Sequence, residues 1–373
     1  MTRKTAAIIG DRDTDKFRGW LIRDMVAAGH RVLVCGPGDD ALAAAIGRRG
    51  AEYRSISIDG TSLNPLGAVS SVLRLVALLR AERVDLVLSH STKQNVIGPL
   101  AAQLARIPHT FAMIEGFGYA FGEGNEPKRR LLRTLITLLL KISLRRCTAV
   151  FVLNEADEAF VRSIRLVRPR QRVVKINGTG IDLTQFAFSS APSGEVVFLL
   201  IARLLREKGV LDFVDAARVI KAEAPRCRFQ ILGPLDSHPG ALSSADVDSW
   251  QRDNVVEYLG ETSDVRPYLH SCTVFVLPSY YREGLPRTVI EALAVGRPVI
   301  TTDIPACRDT TVDGLNGFTV PKRDPERLAA AMRRFIDNPS LVARMGRAGR
   351  SIAENVFDVS RVNAAIMAVM MLN

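Results

Sequence analysis

The sequence predicts an α/β protein made of two doubly wound parallel-sheet domains. Three observations lead there. Short apolar runs alternate with longer segments of helical period, which is the pattern of a parallel sheet covered on both faces. The alternation restarts after a small, turn-rich stretch. The chain's 373 residues are enough for two cores.

In the first series, Ala6–Ile9, Val32–Cys35, Leu86–Ser89, His109–Ala112 and Ala149–Leu153 read as strands. Helical segments such as Thr14–Ala28, Asn64–Glu82 and Val96–Ala105 lie between them. Ala187–Gly194 is small and turn-rich, so it reads as the linker. The boundary is placed there, giving domains 1–186 and 187–356. In the second series, Val196–Ala202, Arg228–Leu232, Thr273–Leu277 and Pro298–Thr301 are strands. Lys208–Ala222, Pro286–Ala294, Pro325–Asp337 and Leu341–Asn355 are helices, and a last helix, Val359–Met371, follows the natural end of the series.

Hydrophobic content of 47% and charged content of 24% are ordinary for a globular protein. The apolar residues after Met-Thr-Arg-Lys are too few for a signal-peptide core and read as a first strand. No stretch of about 18 apolar residues is present, so no spanning helix is expected. The five cysteines (Cys35, Cys147, Cys227, Cys272, Cys307) form no CxxC pair and are expected as buried thiols in a reducing compartment. A net charge of +11 suits nucleic acid, an anionic membrane face or phosphorylated substrates, without choosing among them.

The most informative stretch is Glu283-Gly284-Leu285-Pro286-Arg287-Thr288-Val289-Ile290-Glu291. One carboxylate falls in a loop after a strand and the other in the helix that follows, where open α/β sheets bind ligands. A carboxylate accepts two hydrogen bonds from a vicinal diol, which suits Glu291 to a ribose. Gly284 would let backbone approach a ligand, N–H groups near Leu285 would favour an anion, and Pro286 suits a first helical position. A solvated helix residue and an N-terminal charge would account for two glutamates alone. The full Glu-Gly-Leu-Pro…Glu-Ala-Leu-Ala-x-Gly-x-Pro-Val-Ile run is more specific.

That run resembles the donor site of family 4 retaining glycosyltransferases of the GT-B fold. The resemblance implies two Rossmann-like domains facing across a cleft, with Glu283 near the donor sugar and Glu291 on the ribose. It extends to Leu200–Gly209, where the family places an arginine and a lysine on the donor diphosphate, here Arg203 and Lys208. Both follow a strand, opening a helix, and two fixed cations would stabilise a leaving nucleoside diphosphate. A solvated helix start is the plainer account. Asn177–Phe186 is similar to the family's Gly-x-Asp-x-x-x-Phe segment, with Gly180 as a positioning residue; a linker turn explains it equally. Phe357-Asp358-Val359-Ser360 resembles the start of a terminal crossover, so 357–373 is expected to return to the first domain.

His109–Phe121 resembles a signature of bacterial enzymes that extend undecaprenyl-diphosphate-linked sugars. Glu115 or Tyr119 would touch acceptor hydroxyls, or the loop is simply a buried aromatic one. His109 reads as structural before catalytic but stays an acceptor-side candidate, and His90 is open. Arg18 could reach a phosphate, although a surface charge is preferred. Asp11-x-Asp13 and Asp246-x-Asp248 read as loop or helix acids, so no metal and no cofactor beyond a UDP-sugar donor are expected.

The segment Lys128–Arg146 is leucine-rich and helical in period. Between Glu126 and Arg146 there are seven basic residues and one acidic, as in an interfacial helix on anionic lipid. A core helix with cationic ends is the other account. Together these features predict a retaining transferase that moves a sugar, with a tilt toward an N-acetylhexosamine, from a UDP-sugar to a lipid-diphosphate-linked glycan. It would act at the cytoplasmic membrane face in bacterial surface polysaccharide or glycoprotein glycan assembly. A non-catalytic GT-B-like binding protein, or a transferase with another nucleotide sugar and a soluble acceptor, is the alternative. Nucleic acid is not expected, because the positive charge clusters beside leucines rather than aromatics.

Overall fold

The computed structural model describes residues 2–56, 65–117, 121, 127–282 and 284–372. They divide into two units. The first is Met1–Gly180, Arg282–Gly284 and Val359–Asn373; the second is Ile181–Tyr281 and Leu285–Asp358.

The first unit holds β1 (Thr5–Ile9), β2 (Arg31–Gly36), β3 (Glu52–Ser55), β4 (Leu86–His90), β5 (His109–Ile114), β6 (Ala149–Val152) and β7 (Arg172–Lys175). They form a parallel sheet in the order β3-β2-β1-β4-β5-β6-β7. Ala6 pairs with both Val32 and Leu86, so β1 is a central strand. Ala6–Ile9 and Ala149–Val152 are fully buried because helices cover both faces. The edge strands β3 and β7 carry no apolar run, and the sequence reading missed both.

The second unit holds β8 (Val197–Ile201), β9 (Arg228–Leu232), β10 (Glu257–Tyr258), β11 (Val274–Leu277), β12 (Val299–Thr302) and β13 (Gly317–Val320). Its order is β10-β9-β8-β11-β12-β13. Side chains alternate between the two faces: Phe198 and Leu200 join the core with Phe213 and Phe229, while Leu199 and Ile201 join Phe275 and Leu293. In both sheets the connection reverses direction beside the first strand of the unit, at β1/β4 and at β8/β11. Such switch points leave a crevice at the carboxyl ends of the strands.

The chain changes unit at Gly180–Ile181 and again at Asp358–Val359. The predicted linker 187–194 is no free connection. Arg297 is fully buried and donates to the Ser189 carbonyl (2.8 Å) and the Ser189 hydroxyl (2.7 Å), which straps this stretch to the second unit. Ile181 and Phe186 are buried in the same unit's core. Gly180 has φ +68°, and a Cβ there would lie 2.6 Å from Val359 Cα, where the last helix begins. That helix, Val359–Met370, packs in the first unit: Asn363 Nδ2 donates to Asp24 (2.7 Å) and Lys4 Nζ donates to the Met371 carbonyl (2.6 Å). The preceding helix ends at Ile352 and passes into a π-turn, Ala353–Phe357, rather than running on to Asn355.

Candidate functional site

In the second unit the loops leaving β8 and β11 are laced together. Tyr280 N–H donates to the Glu207 carbonyl (2.9 Å), and the Ser279 hydroxyl donates to the same oxygen (3.3 Å). Arg203 follows β8 and pairs with Asp236 at 2.9 Å. Burial alone would raise the Asp236 carboxyl, but the His238 N–H and the Arg203 guanidinium hold it below its ordinary value. The Arg203 side chain is 46% exposed, so this pair is a weak surface contact that a polyanion can displace.

Lys208 does not open the helix as expected. It closes a 3₁₀ turn, Arg206–Lys208, and the helix Val210–Glu223 begins after Gly209. Gly209 sits at φ +75°, and a Cβ there would lie 2.1 Å from the Pro278 carbonyl, so glycine is required. Lys208 Nζ lies 5.1 Å from the centre of the Tyr281 ring.

Glu291 lies in the helix Arg287–Ala294, is 6% exposed, and pairs with Arg287 Nε at 2.8 Å. Pro286 is the residue before this helix rather than its first member, and it gives no side-chain cap. Leu285 is half-buried beside it. Glu283 lies outside the described residues. Gly284 belongs to the first unit. Its missing Cβ makes room for protein backbone rather than ligand, since a Cβ would come 2.5 Å from the Glu115 carbonyl oxygen.

A second polar cluster forms in the first unit, at the carboxyl ends of β1, β4 and β5. Arg18, expected as a surface charge, is 1% exposed and forms an ion pair with Glu115. The other Glu115 oxygen lies 3.4 Å from His90 Nδ1, and His90 Nε2 lies 3.2 Å from the Thr14 hydroxyl. A side chain at Gly10 would strike both Thr14 and His90. Burial pushes the Glu115 carboxyl up, but Arg18 and His90 more than offset it and hold it at about 2. Glu115 is therefore an anion with 24% of its side chain open. Arg18 Nε is buried without a partner among the described residues, which is a donor awaiting an acceptor. The sequence flagged His90 without assigning it and did not single out Thr14. Their place at the last residue of β4 and at the start of the helix that follows β1 was the available signal.

The remaining acceptor-side candidates separate. His109 opens β5, at the opposite end of that strand from Glu115. Tyr119 lies outside the described residues. Phe117 and Phe121 are buried with Phe160 in a set of edge-to-face rings. The Arg282 guanidinium stacks on Phe160 at 3.7 Å. Beside it, burial raises the Asp157 carboxyl to about 6 against the pull of Arg282 and Asn154. Asn154 Nδ2 also donates to the Gly284 carbonyl (2.7 Å). No sequence motif pointed to this Asp157–Asn154–Arg282 group.

Asp246 is occupied in a capping box with Ser243. No group of three His, Cys, Asp or Glu that could hold a metal occurs among the described residues.

The helix Pro127–Leu144 has one buried side, with Leu140, Ser143 and Leu144, and one bare side. Leu131 (73%), Leu135 (46%), Leu138 (54%) and Ile142 (52%) are exposed along the latter. No described helix is long and apolar enough to cross a membrane.

Residues 195–338 match the family model described as glycosyl transferases group 1, and residues 16–178 match the glycosyl transferase 4-like domain. The chain is similar to the N,N'-diacetylbacillosaminyl-diphospho-undecaprenol alpha-1,3-N-acetylgalactosaminyltransferase of Campylobacter jejuni, 29% identical over 293 residues that cover 75% of each protein. It is also similar to the UDP-Gal:alpha-D-GlcNAc-diphosphoundecaprenol alpha-1,3-galactosyltransferase of Escherichia coli, 27% identical over 73% of this chain and 72% of that one. Among solved structures, the sucrose-phosphate synthase of Thermosynechococcus elongatus superposes with a TM-score of 0.79 at 19% identity, covering 99% of this chain and 98% of that one. Anabaena HepE in complex with UDP and glucose superposes with a TM-score of 0.76 at 19% identity, over 99% and 100% of the two chains.

Proposed function

We propose that this chain, which belongs to the family 4 glycosyltransferases of the GT-B fold, moves a sugar from a UDP-sugar to a lipid-diphosphate-linked glycan with retention at the anomeric carbon. The observation that carries this reading is the convergence at the β8/β11 switch point. Arg203 and Lys208 leave one strand, and the helix bearing buried Glu291 follows its neighbour. A nucleoside diphosphate laid there would meet two cations at the phosphates and a carboxylate at the ribose diol.

Arg203 and Lys208 stabilise the charge that grows on the diphosphate as the bond from sugar C1 to phosphate oxygen breaks. Glu283 orients the sugar, with Leu285 and Pro286 shaping the approach, and Glu291 fixes the ribose. No nucleophile is assigned, so the acceptor oxygen enters on the face the phosphate leaves. The departing phosphate oxygen takes the acceptor's proton, and the protein mainly positions and neutralises. The second unit thus supplies the diphosphate and ribose contacts, and the first serves the acceptor. There Glu115, held ionised between Arg18 and His90, receives an acceptor hydroxyl, and Arg18 Nε supplies a donor.

The acceptor class is supported by the names of the Campylobacter jejuni and Escherichia coli relatives, both of which specify diphosphoundecaprenol substrates. The names differ in the sugar moved; an N-acetylhexosamine is the reading we favour. The bare Leu131–Ile142 face, with its cationic flanks, supports contact with the inner face of the cell membrane, where a lipid acceptor is met.

The test is thermal stabilisation by a panel of nucleotides and UDP-sugars without added metal. A rise with UDP and one UDP-sugar, lost in Glu291→Ala, is expected. A flat panel from folded protein would overturn the donor site, whereas binding without hydrolysis or transfer would favour a binding protein without turnover.

A further inference from the structure

We infer that the carboxyl end of the helix Pro127–Leu144 carries a binding site for the phosphate headgroup of an anionic bilayer phospholipid. The inference rests on the proposed membrane contact of this helix and adds a discrete headgroup site to it.

A depression of about 410 Å³ opens there, lined by Leu138, Ile142, Lys141, Arg145, Arg146 and Arg168 among others. Four of these are cations, and no carboxylate lines the depression. The Arg146 and Arg168 guanidinium groups make no hydrogen bond or ion pair among the described residues. Arg145 reaches only the Arg165 carbonyl, at 3.5 Å. Cations on the last turn of a helix can be explained by its dipole. Arg168 cannot, because it comes from the loop before β7. Gln171 fixes that loop in place: its Nε2 donates to the Leu144 (2.6 Å) and Cys147 (2.9 Å) carbonyls at the helix end, and its Oε1 accepts from Arg168 N–H (3.0 Å). The site is therefore assembled from two segments.

Its apolar wall identifies the ligand class. Leu138 and Ile142 line the depression and also belong to the exposed stripe that begins at Leu131. Eleven positions of helix make that stripe roughly 16 Å long. A ligand that satisfies both parts has an anionic phosphate in the depression and a hydrocarbon portion beside the stripe. A free phosphate leaves the stripe bare, and nucleic acid needs aromatic or groove contacts that the lining lacks.

Topology separates a bilayer lipid from the lipid-linked acceptor. The helix Gln94–Ala105 follows β4, and the helix Pro127–Leu144 precedes β6. In a parallel unit both helices run against the strands, so their carboxyl ends lie at the edge where strands begin. His90 and Glu115 lie at the edge where strands end. Five or six strand residues separate the two edges by roughly 16 to 20 Å. A diphosphate in the depression would hold its first sugar too far from Glu115 to react. A resident phospholipid has no such requirement and would set the helix flat on the membrane, with its amino end nearest the acceptor cluster.

The experiment is sedimentation of the full chain with phosphatidylcholine vesicles, with and without phosphatidylglycerol. Arg146→Gln with Arg168→Gln is compared with a charge-matched control pair, Arg74→Gln with Arg130→Gln, both exposed and outside the depression. Diffuse attraction weakens both pairs alike, about fivefold per charge removed. The headgroup site predicts that the Arg146/Arg168 pair binds phosphatidylglycerol vesicles about tenfold more weakly than the control and loses more of its preference for phosphatidylglycerol than the control does. Soluble short-chain phosphatidylglycerol should raise the melting temperature of the wild type and not of this pair. Equal losses in the two pairs would overturn the headgroup site and leave the membrane contact standing. Loss of all vesicle binding in Leu131→Ser with Leu135→Ser supports that contact; no vesicle binding by the wild type overturns both. Stabilisation by a polyprenyl diphosphate but not by phosphatidylglycerol would overturn the assignment to a bilayer lipid.

Discussion

Neutralising Asp157 should remove a defined part of the protein's pH dependence. Asp157 is 3% exposed. Its folded-state value of about 6 lies above the ordinary 3.8, because burial outweighs the pull of Arg282 and Asn154. The folded state therefore holds this proton more tightly than the unfolded chain does. Stability from this group is present below pH 3.8 and is lost as pH rises through 6. The full span is about 3 kcal/mol, from roughly two units at 1.36 kcal/mol each. Between pH 8 and pH 5, linkage gives a gain of about 1.4 kcal/mol in the wild type.

Asp157→Asn keeps the shape and can still accept from Asn154 Nδ2, but it has no proton to take up. Every other titrating group is common to the two proteins and cancels in the difference. Glu115, held at about 2, hardly changes above pH 5. Each unit contains one tryptophan, Trp20 in the first and Trp250 in the second. Urea unfolding in a Trp250→Phe background thus follows the unit that contains Asp157. The wild type should gain about 1.4 kcal/mol on going from pH 8 to pH 5 relative to Asp157→Asn. If the two proteins track each other across that window, the carboxylate is not buried in the way described here.

Arg203→Ala or Lys208→Ala should lower turnover at least a hundredfold, the scale of losing one transition-state charge partner, with little change in melting temperature; unchanged turnover in both would refute the diphosphate assignment. Gly209→Ala places a Cβ against the Pro278 carbonyl at φ +75°, so thermal unfolding should show a loss above about 1 kcal/mol. Glu115 is held below its ordinary value of 4.5, so it contributes stability above that pH and loses it as pH falls toward 2. Glu115→Gln should flatten the acid limb of the stability profile, and an unchanged limb would argue against the Arg18 pair.

What was legible in the sequence, and what was not, follows from the range of the interactions involved. Central strands such as Ala6–Ile9 announce themselves because both faces are covered, so every residue is apolar. Arg172–Lys175 at an edge of the first sheet and Glu257–Tyr258 at an edge of the second are half-buried or exposed, and their apolar pattern is too short to distinguish them from loop. The helix was started two residues early, at Lys208, because no periodicity marks the left-handed Gly209 that precedes the true start at Val210. Gly284 was read as an approach to ligand, since sequence records the missing Cβ but not which backbone fills the space. The Arg18–Glu115 pair is the clearest case: the two residues are 97 positions apart, and neither has a local signature. They meet because β1, β4 and β5 are neighbours, and strand order is a property of the whole sheet. Even so, polar residues that directly follow strands flanking a reversal in strand order fall at one crevice in any doubly wound unit. Applied to β1 and β4, that rule selects the first turns of the helix Thr14–Ala27, with Thr14 and Arg18, together with His90 at the end of β4, so the cluster was within reach once strand order was known.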